Sequence, residues 1–251
     1  MGKLLLTLVL VCLVSPSVPG QTPDPPLADT RLTVHTLVRE DVFAGFLQGD
    51  QARLARAERN IEQLLASRPA DRAPLLAWQG SAVLTRAAMA LEAGQKAQFT
   101  QQYQRASDLF AEAIRLGPEE VSVFAIIGGT QSAIADRLPA AERAVRWEQA
   151  YSAYQQLLKL QSSVLEKLPL HHQGEVLAGL AQTAQRTGRD AEAATHVDRI
   201  LAMAPGTSYA RAAQQWKDNP ATRAGTKLTC QTCHGPGMLV ARIAEVSKSG
   251  K

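Results

Sequence analysis

The stretch GEVLAGLAQTAQRTGRDAEAATHVDRILAMAP, residues 174–205, decides the fold of this chain. Ala193, Val197, Ile200 and Pro205 follow one another in it at intervals of four, three and five residues. The first three positions lie on one face of an α-helix, where the small alanine lets a second helix approach closely, and the proline stops the helix. The spacing therefore predicts a helix that packs closely on a neighbour and ends before Pro205.

The same spacing occurs at three earlier places, the last of which lacks the proline. The first alanines of the four copies are 49, 44 and 43 residues apart. Between the copies the sequence is rich in helix formers and has almost no strand-like alternation, which predicts an all-α repeat domain over residues 37–216. The earlier copies are Ala57-Ile61-Leu64-Pro69, Ala106-Phe110-Ala113-Pro118 and Ala150-Tyr154-Leu157.

Residues 174–205 resemble a tetratricopeptide repeat over its full length. Gly188 stands at the turn, and a stretched second copy runs from Trp78 through Gly94 to Pro118 with several residues inserted between its helices. The period of about 44 residues exceeds the usual 34 of this family. The resemblance implies a right-handed solenoid of about eight or nine helices with one continuous core. The first-helix packing positions of residues 174–205 are Leu177, Leu180, Ala181 and Ala184.

The first twenty residues have the three-part pattern of a secretory signal peptide. Lys3 is followed by an apolar run from Leu4 to Val14 and then by small residues and prolines up to Gly20. The apolar run is shorter than the roughly twenty residues that a membrane-spanning helix needs. We expect cleavage after Gly20, a periplasmic or secreted mature chain, and an extended lead-in over residues 21–36, which contains three prolines.

Composition argues against nucleic acid as a partner. The chain has 27 basic and 23 acidic residues, and six basic residues against two acidic ones lie in residues 217–251. A weakly positive tail with few aromatic residues is not the basic, base-stacking surface of a nucleic-acid-binding protein. No later segment has the length of uninterrupted apolar residues that membrane insertion requires.

The C-terminal tail, residues 217–251, carries the strongest chemical motif. Cys230, Cys233 and His234 form Cys-x-x-Cys-His, the attachment sequence of c-type haem. Two thiols at this spacing can each form a thioether with a haem vinyl group, and the adjacent imidazole of His234 then ligates the iron. Export agrees with this interpretation, because covalent haem attachment takes place outside the cytoplasm. The tail resembles class I cytochromes over this motif only, which implies one haem c per chain and electron transfer.

Three other interpretations of the motif stay open. The string CQTCHGPG also resembles one element of the cysteine-rich zinc domain of DnaJ-type chaperones, but structural zinc requires four ligands, so a second chain would have to supply the rest. The pair could instead form a disulfide or act as a redox thiol pair, or the motif could hold no cofactor. If haem is attached, the distal position is unfilled or taken by one of five residues: His35, His171, His172, His196 and Met203.

These features favour an exported helical scaffold that docks a protein or peptide partner and carries a haem for electron transfer. The alternative is a pure interaction module, with a homodimer as one form it could take. No arrangement diagnostic of a hydrolase is visible, and solenoids without catalytic residues are far more often binding surfaces than enzymes. We expect Trp78, Phe110, Trp147, Tyr154 and Tyr209 to pack in the core, and His171 and His172 to lie in a solvated loop at a helix start.

Overall fold

The computed structural model describes residues 24–228 and 237–249. The predicted signal peptide therefore lies outside the described residues, and so do Cys230, Cys233 and His234. Within the described part the chain is all helical, without a β-strand, as the sequence predicts. No helix among these residues is both long and apolar enough to cross a lipid bilayer.

Ten α-helices are present in the described ranges, joined by short turns and 3₁₀ helices. Consecutive helices pack against each other in four pairs, α1 with α2, α3 with α4, α5 with α6 and α7 with α8. The first helices of these pairs also contact one another, α1 with α3, α3 with α5 and α5 with α7. The bounds are α1 Val34–Gln48, α2 Gln51–Ser67, α3 Arg72–Glu92, α4 Lys96–Leu116, α5 Val121–Ile134, α6 Ala140–Gln161, α7 Leu170–Arg186, α8 Asp190–Met203, α9 Ser208–Asp218 and α10 Met238–Ser249.

The repeated spacing marks the second helix of each pair. Its four alanines lie in α2, α4, α6 and α8, and all of them are fully buried. The two apolar positions that follow each alanine are buried as well. Helices α2, α4 and α8 end two residues before their prolines, so the predicted stops are confirmed. The alanines are Ala57, Ala106, Ala150 and Ala193.

Glycines in the first helices complete these contacts and were missed by the sequence analysis. A Cβ on Gly80 of α3 would lie 2.7 Å from the Phe110 ring of α4, closer than such atoms approach in real proteins. A Cβ on Gly179 of α7 would overlap the ring of Tyr154. Each glycine thus leaves the space that an aromatic ring of a neighbouring helix fills. This role becomes visible only when the packing of the helices is known.

The lead-in and the tail contain more structure than the sequence predicts. Helix α1 begins at Val34, inside the predicted extended range 21–36, because the Thr33 hydroxyl accepts the N–H of Thr36 and caps the helix. The Arg68 guanidinium donates to the carbonyls of Leu27, Asp29 and Leu32, which holds the lead-in against α2. The tail, residues 217–251, likewise contains a 3₁₀ helix and α10.

The five aromatic residues predicted to pack are buried, as expected. Their exposed fractions are 6% or less. Three of them, Trp78, Tyr154 and Tyr209, also border a cavity that opens between the first helices of the pairs. The aromatic residues are therefore packing groups that at the same time form part of a cavity wall.

Candidate functional site

A cavity of about 720 Å³ lies among the first helices of the repeat pairs. Side chains of α1, α3, α5, α6, α7 and α9 form its wall. The wall combines apolar and aromatic groups, including Phe43, Trp78 and Val121, with many polar and charged groups, including carboxylates and basic side chains. Its volume lies in the range of small-molecule and cofactor sites.

Three of the five predicted distal-ligand candidates meet in this cavity. His35 comes from α1, and His171 and His172 come from the first turn of α7. The predicted helix start after Pro169 is confirmed, but the two histidines belong to the first turn of the helix rather than to a loop, and both border the cavity. His35 lies 136 positions before His171 and 137 before His172, so only the fold brings it to the other two.

The other two candidates lie elsewhere. His196 is on α8 with 7% of its surface exposed, and its Nε2 is 3.4 Å from the Glu192 carboxylate. It is thus a buried helix residue. Met203 is the last residue of α8. Neither of them borders the cavity.

His171 has a defined hydrogen-bonding geometry. Its Nδ1 is 3.1 Å from the Tyr209 hydroxyl of α9, and its Nε2 is 3.7 Å from Oε2 of Glu175, beyond hydrogen-bond distance. The pKa of His171 is lowered, first by burial and then by the nearby charge of Arg39. The imidazole is therefore held by one nitrogen, in an environment that favours its neutral form.

His35 is held differently. Its Nε2 is 3.3 Å from Nη1 of Arg39, and since a guanidinium can only donate, this nitrogen accepts. Its ring lies against Trp78 with 5.2 Å between the ring centroids. The Nε2 lone pair of His35 is thus engaged by a residue of its own helix.

Glu175 places a carboxyl group among these histidines. Burial raises its pKa, while the charges of His172 and Arg39 act in the opposite direction. The side chain is still 29% exposed, because it borders the cavity. Tyr154, which lies beside it in the cavity wall, also has a raised pKa, for which burial is the main cause.

The last described residues before the cysteine segment lie beside the cavity. The N–H of Leu228, the last described residue before the segment, donates to Oε1 of Gln182 on α7 at 2.9 Å. Gln182 and Lys227 both border the cavity. Leu228 itself is buried, with 2% of its surface exposed. The chain is therefore fixed to α7 at the point where the segment begins.

The first described residues after the segment are bound to α1. The N–H groups of Gly237 and Leu239 donate to the two carboxylate oxygens of Glu40, at 3.1 and 2.9 Å. Glu40 is 5% exposed and forms an ion pair with Arg53 of α2. Residues 229–236, which contain the predicted site residues Cys230, Cys233 and His234, thus connect two fixed points on the helices that carry the cavity histidines.

The described residues do not contain a ready-made metal site. No group of three or more histidine, cysteine, aspartate or glutamate side chains lies close enough together in residues 24–228 and 237–249 to hold a metal ion. Sequence comparison with protein-family models and with curated proteins, and structural comparison with solved structures, give no match.

Proposed function

We propose that this chain is an exported helical-repeat protein of tetratricopeptide-like organisation that carries one covalent haem c and transfers electrons to or from a protein partner. Cys230 and Cys233 would form the thioethers, and His234 would ligate the iron. The protein acts as a scaffold and carrier rather than as an enzyme with a substrate of its own.

One observation carries this proposal. Both fixed ends of the cysteine segment, Leu228 on Gln182 of α7 and Gly237 on Glu40 of α1, lie on the two helices whose histidines border the cavity. A group attached to the segment would therefore be held next to a cavity with polarisable walls and imidazole ligands. The proximity of these two fixed ends to the cavity supports the proposal.

The cavity residues fit a haem. Phe43, Trp78 and Val121 would offer an apolar and aromatic surface for the porphyrin, and the basic residues Arg39 and Lys227 border the same cavity. A haem bound there would supply one-electron redox chemistry. The surrounding side chains would limit access of water to a bound haem and set the charge near it, which are means by which a protein tunes a haem.

The tetratricopeptide-like part of the proposal is supported by the four helix pairs and by the repeated buried alanine in the second helix of each pair. Repeat proteins of this kind present extended surfaces, and such surfaces usually bind peptides or proteins. The partner is accordingly proposed to dock on the outer surface of the repeat.

Haem attachment can be tested directly. The full-length chain should be expressed with a periplasmic haem-attachment system, purified, denatured, and examined by intact mass and by haem staining on a denaturing gel. We expect a covalent haem on the chain and a new N-terminus near Gln21. The double variant Cys230→Ala/Cys233→Ala should be colourless, with an unchanged circular dichroism spectrum as the check on its fold.

Other outcomes would select the alternatives. A colourless wild-type protein two mass units below its reduced form would indicate a disulfide between the cysteines. A colourless dimer with bound zinc would indicate an intermolecular zinc site. Recovery of the chain only from the cytoplasm, with Met1 retained, would contradict export.

A further inference from the structure

We propose that a groove formed by α4, α5 and α6 binds a small aliphatic carboxylate, whose charge pairs with Arg146 and whose chain lies on the apolar wall of the groove. This proposal goes beyond the proposed function, since it involves neither the cysteine segment nor the cavity of the first helices. Two features carry it: a buried cation that no carboxylate compensates, and an apolar wall that is partly open to solvent.

Arg146 is the buried cation. The residue is fully buried on α6, and in the described part of the chain no carboxylate forms an ion pair with it. By contrast, the partly buried Arg53 and Arg56 both pair with Asp41. Burial lowers the pKa of Arg146, whereas the hydrogen bond to Asp41 raises the pKa of Arg56. Since a buried charge is costly unless it is paired, a negative group beside Arg146 would be favourable.

The groups that do surround the guanidinium are neutral. Its Nη2 donates to Oγ of Ser107 at 2.7 Å and to the carbonyl of Tyr103 at 3.3 Å. Its Nη1 donates to the amide oxygens of Gln149 at 3.0 Å and of Gln131 at 3.5 Å. Its Nε has no hydrogen-bond partner among the described residues. The hydrogen-bonding capacity of the guanidinium is thus partly met, but its charge is not.

The nearby carboxylate of Glu148 does not supply this charge. Glu148 borders the groove, yet both of its oxygens accept from the guanidinium of Arg189 at 3.0 Å. The ion pair with Arg189 also reduces the repulsion that Glu148 would exert on an anion in the groove. The missing negative charge must therefore come from outside the described residues.

The groove provides room for the rest of a ligand. Its volume is about 320 Å³, at the lower end of the range of small-molecule sites. Phe110, Phe124 and Ile127 border it and are buried, while Ile114 borders it with 38% of its surface exposed. A short aliphatic chain would cover Ile114 and remove apolar surface from water. An apolar wall beside an uncompensated cation is complementary to an aliphatic carboxylate.

Gln149 is the side chain that such a ligand would displace. It is exposed and borders the groove, and its neutral Oε1 accepts from Nη1 of Arg146. Once this side chain turns away, a carboxylate oxygen would take its place and form a charge-assisted hydrogen bond, roughly twice as strong as a neutral one.

The test compares three probes on the purified full chain at neutral pH. Hexanoate carries both chain and charge, hexan-1-ol carries the chain alone, and acetate carries the charge alone. A ligand that binds the folded state raises the midpoint of thermal unfolding. We expect a saturable rise with millimolar hexanoate, and a clearly smaller response to the other two probes at the same concentration.

Gln149→Glu supplies the carboxylate from within the chain. We expect it to raise the unfolding midpoint without ligand and to abolish the response to hexanoate. The control is Gln101→Glu, which adds the same charge at an exposed position of α4 outside the groove and should do neither. Both variants retain Arg146, so the test does not depend on the folding of a chain that lacks it.

Ala111→Phe tests the location of the chain. Ala111 is exposed and borders the groove, so a phenyl ring there should fill the groove and abolish the response to hexanoate. Ala97→Phe, at an exposed position of the same helix outside the groove, should keep the response. Circular dichroism of all variants should show unchanged helix content.

Three results would each overturn the proposal. They are an unfolding midpoint that does not respond to hexanoate, an equal response to hexan-1-ol, and a hexanoate response that persists in Gln149→Glu or in Ala111→Phe. None of them bears on haem attachment, which is tested separately.

Discussion

The carboxylate of Glu40 accepts the backbone N–H of Leu239 at 2.9 Å, so a residue of the first helix caps the N-terminus of the last one. The second carboxylate oxygen accepts the N–H of Gly237. A buried negative charge at the positive end of α10 is favourable, and Arg53 pairs with the same carboxylate. Helices α1 and α10 are thereby joined next to the cysteine segment in sequence.

Replacing Glu40 by Gln should release α10. The amide would place an NH₂ group against one of the two N–H donors and weaken the pairing with Arg53, for a loss of about 1–3 kcal/mol of unfolding free energy. Hydrogen exchange should show faster exchange over residues 239–249 than in the wild type. The control is Glu112→Gln, which removes an exposed ion pair with Arg115 and should leave the unfolding midpoint nearly unchanged. Equal protection of α10 in wild type and Glu40→Gln would contradict the capping role.

Gly179→Ala should be strongly destabilising. The added Cβ would overlap the rigid, fully packed ring of Tyr154, and relief of such an overlap costs about 1–3 kcal/mol or more. Gly129 of α5 is a matched control, since its nearest neighbour beyond its own helix, the Tyr154 hydroxyl, would be 3.9 Å from the new Cβ. Gly129→Ala should be neutral or stabilising by about 0.5–1 kcal/mol, because alanine favours a helix. Denaturant unfolding of both variants decides the point, and similar midpoints would show that helices α6 and α7 can separate without loss.

Arg146→Lys should destabilise the protein although the charge is kept. Arg146 is fully buried on α6, donates to Ser107 at 2.7 Å and to Gln149 at 3.0 Å, and lies 4.1 Å over the ring of Tyr103. A single ammonium group cannot make these bonds in two directions and stack on the ring, so we expect a loss of about 1–3 kcal/mol. Arg115→Lys at an exposed ion pair is the comparison and should have little effect on the thermal midpoint. A tolerated lysine at position 146 would mean that the buried charge alone matters.

Glu175 should make stability depend on pH. Its pKa is raised above the ordinary 4.5 by burial, so between the two values the folded protein binds more protons than the unfolded chain. The contribution of Glu175 to the free energy of unfolding therefore falls as the pH rises from its unfolded-state pKa to its folded-state pKa. Glu175→Gln removes the contribution and should gain stability relative to wild type at neutral pH, but not at a pH below 4. Urea unfolding at several pH values measures the difference, and a pH-independent difference would contradict a raised pKa.

Much of the fold follows from local chemistry that can be read along the chain. The spacing of Ala193, Val197 and Ile200 places them on one helical face, and the proline behind them stops the helix, whatever lies around it. The same pattern located the second helix of every pair and its buried positions. Gly80 and Gly179 could not be recognised in this way, because their role depends on which aromatic ring of a neighbouring helix faces them.

The same distinction between local sequence and tertiary packing applies to the candidate site. The sequence alone determined the all-helical repeat and the motif Cys230, Cys233 and His234, since both depend on residues a few positions apart. The tertiary structure alone decided that His35 and His171 border one cavity, that His196 does not, and that Glu40 caps α10 through Leu239, which lies 199 positions later in the chain. Such contacts are set by how the helix pairs stack, and stacking depends on the summed packing of the whole core rather than on any local pattern.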